Sequence, residues 1–291
     1  MDLKPEEIQF YEQNGYLLIQ DCFSKAEIAR MKAELQGVFA EDSPRRVVEK
    51  DGYTVRSVYG CHKYNEVFSR LVRHSNMLVP ARQLLGDDVY VYQFKINAKV
   101  AFRGDLWEWH QDYVFWMKED GMPEPRATNA VVFLDEVNEL NSPLVFIPGS
   151  HREGVLDSPA LTDENAANSS GAYKGSPSWI SNLTANLKYS LSQDTIATLI
   201  QRYGTAVPKG PAGSMLFFHP NVVHASSNNL SPFDRVLVLI TYNSVGNLPN
   251  FPKNRRPDFL ASSDCEPLKP LPGNEVVGKD DHRAVQKMTA T

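Results

Sequence analysis

The sequence is poor in cysteine. Cys22, Cys61 and Cys265 are odd in number and far apart, which excludes a disulfide framework or a zinc ribbon and predicts a reducing compartment. Long apolar runs are missing too. No stretch approaches the roughly 18 apolar residues of a transmembrane helix, so no membrane contact is expected. The first residues, "MDLKPEEIQF", are charged and lack both an apolar h-region and a small-residue cleavage site, so the expectation is a cytoplasmic chain without a signal peptide. A basic surplus is also absent. The net charge is −5, and this argues against a nucleic-acid binder. No internal repeat is visible. The composition, 42% hydrophobic and 22% charged over 291 residues, suits one globular domain with a sizeable core.

The N-terminal part reads as helical. Residues 5–14 and 24–39 carry helical periodicity, and Ile28, Met31, Leu35 and Phe39 recur on one face behind Ser24, a plausible cap. "GYLLIQDC" between them reads as a short strand. A further helix is expected over 66–85, with Pro80 interrupting it or starting its second part.

From residue 88 the period becomes two. In "DVYVYQFKINAKV", Tyr90, Tyr92, Phe94, Ile96 and Ala98 alternate with Gln93, Lys95, Asn97 and Lys99. The apolar set is expected to pack on the helices, and the polar set to meet water or line a wet cavity. Short strands are expected at 129–137, 143–147, 214–218, 221–225 and 235–243, separated by turn-rich pieces such as "NELNSP" and "PKGPAG". The pattern predicts a mainly β fold with flanking helices, a sandwich or jelly-roll barrel. Its expected organisation is a single domain over 1–291. Within it, 1–87 is the helical part, 88–248 the β core with an insertion at 154–203, and 249–291 a C-terminal extension. The insertion opens with a polar stretch, 154–185, of the kind that forms lids, and ends in a helix near 190–203.

"WEWHQDYVFW", residues 107–116, sets His110 and Asp112 two positions apart among aromatic rings. If the segment is extended, the two share a face and can bind one metal ion. A second histidine would complete a two-His, one-carboxylate set for non-haem Fe(II). His224, in "FFHPNVVHASSNN", is the strongest partner, with His219 a competitor of opposite strand parity. His62, His74, His151 and His282 read as structural or surface residues. Arg235 stands eleven residues past His224. Such an arginine is usually a solvated strand cap, but it also suits bidentate capture of a remote carboxylate. Ser226 shares the parity of His224.

These motifs resemble the Fe(II)/2-oxoglutarate dioxygenases of the phytanoyl-CoA dioxygenase superfamily. "QFKINAK", "WHQDYVFWMKEDGMP", "NSPLVFIPGSH" and "HASSNNLSPFDRVLVLITYN" are similar to the branch that holds bacterial free L-proline trans-4-hydroxylases. Ectoine hydroxylases are more distant. The likeness spans roughly residues 8–272. It implies a double-stranded β-helix core, jelly-roll or cupin-like, with Fe(II) as cofactor, 2-oxoglutarate as cosubstrate and O2 as oxidant. It implies that His110, Asp112 and His224 ligate iron, and that Arg235 with Ser226 holds the distal carboxylate of 2-oxoglutarate. Gln93 and Asn97 match positions that carry cosubstrate or substrate polar groups. The chain departs from the pattern at Ala225, at His219, and at Ser142, where glycine is common.

The implied reaction is hydroxylation of a free cyclic amino acid, L-proline first, with succinate and CO2 as coproducts. Lys95, Tyr113, Trp116 and Arg126 are the candidates to touch that small-molecule substrate. Asp112 argues against the related halogenases, which replace the carboxylate with a small residue. Two alternatives remain at this point. One is a dioxygenase acting on a larger secondary metabolite or a carrier-bound amino acid. The other is a non-catalytic metal-binding jelly-roll protein.

Overall fold

The computed structural model describes residues 1–158, 178–184, 187–271 and 276. Helix α1 (Pro5–Asn14) starts on proline, whose missing N–H costs nothing there, and stops at Gly15 with φ 77°. A side chain at Gly15 would strike the His151 ring, so glycine is needed both for the turn and for the close approach. Strand β1 (Tyr16–Ile19) follows, then α2 (Lys25–Ala40). Ser24 caps α2 as expected: its hydroxyl accepts from Glu27 N at 3.3 Å, while the Glu27 carboxylate accepts from Ser24 N at 2.9 Å. The buried face of α2 is Ile28, Met31, Leu35 and Val38, with Phe39 only partly buried.

Strands β2 (Arg46–Val48) and β3 (Val55–Tyr59) precede two helices, α3 (Glu66–Leu71) and α4 (Ser75–Leu85). The expected break at Pro80 is misplaced. The chain breaks at 72–74, where His74 Nδ1 caps α4 by accepting from Asn76 N at 3.2 Å, and Pro80 lies buried inside α4. A capping side chain three residues from the end of α3 outweighs the proline signal.

Strand β4 (Val89–Lys99) is followed by β5 (Trp107–His110), α5 (Asp112–Asp120), β6 (Ala127–Phe133) and β7 (Leu144–Phe146). Helix α6 (Gln193–Tyr203) starts behind Ser192, whose hydroxyl accepts from Thr195 N at 3.1 Å. Strands β8 (Met215–Phe218), β9 (His224–Ser226) and β10 (Arg235–Ser244) complete the described elements. The strand expected at 221–225 begins only at His224, because Pro220 and a turn closed by Val222 N to His219 O occupy its first half.

Two antiparallel sheets result. The larger has the order β1-β8-β6-β10-β4-β3-β2 and the smaller β5-β9-β7. The N-terminal residues thus supply strands at both edges of the large sheet as well as helices. Helices α2, α3 and α4 cover its outer face, where Phe94, Ile96, Val238, Ile240 and Phe217 form the main core. The inner face (Val131, Phe133, Leu216, Phe218, Leu237 and Leu239) packs on Phe146 of the small sheet. This is the mainly β jelly-roll core with flanking helices that the sequence predicts.

The strict alternation read in β4 is wrong at one point. Gln93 pairs with Thr241, but the next pair is Val91 with Tyr242, so Tyr92 is an extra residue. This bulge reverses the parity below it. Val89 and Val91 join Phe94, Ile96 and Ala98 on the helix-covered face, while Tyr90 and Tyr92 join an inner aromatic cluster. Gln93, Lys95 and Asn97 line an inner cavity, the wet-cavity outcome. The lid expected over 154–185 lies largely outside the described residues.

Candidate metal centre

The segment 107–116 is not extended throughout. β5 ends at His110 and Asp112 opens α5. The two side chains still converge, because the intervening Gln111 pins the turn. Its Nε2 donates to Gly154 O and Asn221 O, each at 2.8 Å, and its Oε1 accepts from Leu156 N at 2.9 Å. His224 arrives from the neighbouring strand, directly opposite His110 in the β5–β9 register. Ligand atoms of His110, Asp112 and His224 all lie within 4.8 Å of one another, and all three residues are buried.

Both imidazoles are oriented by the main chain. His110 Nδ1 bonds Glu108 O at 2.6 Å and His224 Nδ1 bonds Val222 O at 3.0 Å. A carbonyl only accepts, so each Nδ1 carries the proton and each Nε2 keeps its lone pair. His110 Nε2 lies 3.6 Å from Asp112 Oδ1, and His224 Nε2 lies 3.9 Å from Asp112 Oδ2. Asn129 also holds Asp112, its Nδ2 donating to that same Oδ2 at 2.8 Å. Thr241 holds Asn129 in turn, with its hydroxyl donating to Asn129 Oδ1 at 2.7 Å.

Burial pushes the Asp112 carboxyl up, but nearby Lys95 and the two imidazoles outweigh it and hold the group well below the usual carboxylate range. Burial, then the neighbouring His110, pushes His224 down to about 3. A carboxylate and neutral imidazoles are the forms that a divalent metal requires. Two nitrogens and one carboxylate on one side of an enclosed space fit a non-haem Fe(II) set with open positions.

The group opens on a small, partly open cavity. Trp107, Phe115 and Trp116 give it an aromatic wall, while Gln93, Lys95 and Asn97 enter from β4. Gln93 Nε2 donates to Leu260 O at 2.7 Å. Asn97 Oδ1 is buried with no partner among the described residues. Arg256 also reaches the cavity, from the C-terminal segment. Its Nε donates to Asp120 Oδ1 at 2.9 Å and its Nη2 to Asp120 Oδ2, to which Tyr92 also donates.

Arg235 is 1% exposed and shares the inner face of β10 with Leu239, a cavity residue, and Thr241. Its guanidinium donates to the carbonyls of Asn141 and Ser142, and it forms no ion pair with a carboxylate among the described residues. Burial pulls it down to about 9, only partly offset by the more distant Asp135. A buried cation so poorly compensated is a place for an anion. Ser226 pairs with Trp107 and Leu144, both cavity residues, and its buried hydroxyl has no partner among the described residues. Ser142, where the family pattern favours glycine, has φ 66°. Its hydroxyl donates to Ser227 O and lies 3.4 Å from Arg235 Nη2.

Tyr113 and Arg126 stand elsewhere. Because α5 begins at Asp112, Tyr113 turns into the core and donates to the carbonyls of Met122 and Pro123. Arg126 is exposed and faces Asp87 at 3.4 Å. His219 is absent from the ligand group; its Nδ1 accepts from Asn221 N at 3.1 Å and its ring packs on His151. Sequence reasoning missed Gln111, Asn129, Thr241 and Arg256. Asn129 and Thr241 gave one faint signal, a polar residue inside an apolar strand.

Residues 11–237 match the family described as phytanoyl-CoA dioxygenase. The chain is 38% identical to an L-proline trans-4-hydroxylase of Streptomyces griseoviridis over 90% of its own length and 93% of that protein's. It is 33% identical to an ectoine dioxygenase of Bordetella bronchiseptica, covering 94% and 88% of the two chains. The crystal structure of EctD from S. alaskensis with bound Fe aligns with TM-score 0.77 and 30% identity, over 94% of this chain and 89% of that one. The same protein with 2-oxoglutarate and 5-hydroxyectoine aligns with TM-score 0.74 and 28% identity, over 95% and 87%.

Proposed function

The chain belongs to the phytanoyl-CoA dioxygenase family and is an Fe(II)- and 2-oxoglutarate-dependent dioxygenase, and from that premise we propose that it hydroxylates free L-proline at the trans-4 position. His110, Asp112 and His224 hold the iron. When bound, iron with 2-oxoglutarate supplies the oxidation: O2 is consumed, 2-oxoglutarate leaves as succinate and CO2, and one oxygen atom enters the substrate C–H bond. Arg235 answers the distal carboxylate of 2-oxoglutarate, and Ser226 donates its spare hydroxyl to the same group. Asn97 and Lys95 face the cosubstrate or substrate from β4.

The observation that carries the substrate reading is a small aromatic-walled cavity that joins the ligand group to buried Arg256. A cyclic amino acid is a compact zwitterion, and both of its charges need partners once water is excluded. Arg256 suits the carboxylate, and the faces of Phe115 and Trp116 suit the ammonium and the ring. The 38% identity to a proline hydroxylase over most of both chains points the same way.

Ectoine is the second reading. It too is a small cyclic zwitterion, and the ectoine dioxygenase of Bordetella bronchiseptica covers 94% of this chain. Competition kinetics separate the two. With iron and 2-oxoglutarate saturating, kcat/KM for L-proline is expected to exceed that for ectoine by at least about tenfold, the scale on which one pocket discriminates similar ligands. A ratio in favour of ectoine would replace the proline reading. Turnover of neither, with 2-oxoglutarate still consumed, would turn the search to larger substrates.

A further inference from the structure

Asp112 offers two oxygens, but a facial ligand set with room for a chelating cosubstrate and O2 needs only one of them. The two oxygens differ in their surroundings. Each faces one imidazole, Oδ1 at 3.6 Å from His110 Nε2 and Oδ2 at 3.9 Å from His224 Nε2, but only Oδ2 also accepts a hydrogen bond from Asn129 Nδ2, at 2.8 Å. Asn129 cannot turn away easily. Its other end accepts from the Thr241 hydroxyl at 2.7 Å, and both residues are almost completely buried. The pair is built by the sheet: Thr241 on β10 stands opposite Asn129 on β6, and opposite Gln93 on β4 at the bulge. Three neighbouring strands thus carry a polar row, Asn129, Thr241 and Gln93, across the inner face. Burying such groups costs free energy unless each is satisfied, so a row placed behind a ligand calls for a use.

We propose that Asn129, held by Thr241, is a positioning residue that ties up Oδ2 of Asp112 and so makes Asp112 a one-oxygen ligand through Oδ1. The inference rests on the iron-site reading above. It assigns Asn129 no contact with substrate. Its role is to fix the orientation of the carboxylate plane. Outer partners that orient a ligand in this way typically affect metal affinity by about 10–100-fold. Without the Asn129 amide, Asp112 is free to rotate and offer both oxygens, and a second oxygen competes for a position that the reaction needs open. The Thr241 hydroxyl acts only through Asn129, so losing both residues costs little more than losing Asn129.

The test uses the full chain, Fe(II) and 2-oxoglutarate under anaerobic conditions. It compares wild type with Asn129→Leu, Thr241→Val, Thr241→Ser and the double variant Asn129→Leu/Thr241→Val. Three quantities are read: Fe(II) affinity by chelator competition, the visible charge-transfer band of the Fe(II)–2-oxoglutarate complex, and the ratio of hydroxylated product to succinate after air is admitted. Asn129→Leu is expected to weaken Fe(II) binding by about 10-fold or more, move the band and lower the ratio. Thr241→Val follows in the same direction by a smaller factor, Thr241→Ser restores most of the loss, and the double variant matches Asn129→Leu. Wild-type affinity, band and ratio in both Asn129→Leu and Thr241→Val would overturn the proposal, as would full additivity in the double variant. If Asn129→Leu fails to fold, the contrast between Thr241→Val and Thr241→Ser decides alone, because the first keeps the size of threonine without its hydroxyl and the second keeps the hydroxyl without the methyl. A wild-type protein that binds no Fe(II) would overturn the iron-site reading, and this inference with it.

Discussion

At the scale of single residues, the site depends on a few buried side chains and the charged groups beside them. His110→Ala and Asp112→Ala each remove one of three ligands. Both are expected to abolish stoichiometric Fe(II) binding, measured by metal analysis after desalting, and with it succinate formation. Arg235 is proposed to hold the cosubstrate. Its guanidinium is buried and lacks a carboxylate partner among the described residues, so Arg235→Lys keeps the charge but loses the fork. The expected result is a KM for 2-oxoglutarate raised by about 10- to 100-fold, with kcat changed much less, on the scale of a charged hydrogen bond of about 1.5–3 kcal/mol. An unchanged KM would remove Arg235 from the cosubstrate site. The three ligands were legible because histidine and aspartate stood out at motif spacing. Asn129 and Thr241 were not, since one polar residue in an apolar strand reads equally well as noise. Tyr113, a substrate candidate, sits one residue inside α5 and turns into the core, a helix start that the aromatic run conceals.

At the scale of elements, boundaries and irregularities decide what reaches the cavity. The period of β4 was visible, but its bulge was not, because an extra residue leaves no mark on composition. That bulge brings Tyr92 to the inner side, where it meets Asp120 at the end of α5 and Arg256 from the C-terminal segment. The Asp120–Arg256 pair is buried on both sides. Asp120→Ala would leave Arg256 buried without its carboxylate. The expected cost is about 3–5 kcal/mol of unfolding free energy, read from denaturant titration. Asp120→Asn, which keeps a hydrogen-bond acceptor, is expected to cost less. A loss below about 1 kcal/mol for Asp120→Ala would mean that the pair does not fasten the C-terminal segment to α5.

At the scale of the whole molecule, the architecture was the most legible feature. Alternating short strands behind amphipathic helices pointed to a sandwich or jelly-roll barrel, since two sheets facing each other bury such strands on their inner sides, and the family resemblance chose the jelly roll. The whole chain also carries a pH signature. Burial, then the nearby Lys63, pushes His62 from 6.5 down to about 4. Between those values the unfolded chain binds the extra proton, so metal-free stability is expected to fall as pH drops from 6.5 towards 4 and then level off for this group. His62→Gln should flatten part of that slope in denaturation experiments across the same range. An identical slope would show that His62 is not responsible.

The reaction proposed for this fold is the oxidation of a free amino acid at the expense of 2-oxoglutarate. The most direct measurement admits air to the Fe(II)- and 2-oxoglutarate-loaded protein with L-proline, then quantifies succinate and the mass of the amino acid. Near-equal amounts of succinate and of L-proline carrying a one-oxygen mass gain are expected, both lost in Asp112→Ala. Iron demonstrably bound, with neither succinate nor hydroxylated product formed, would contradict that proposal.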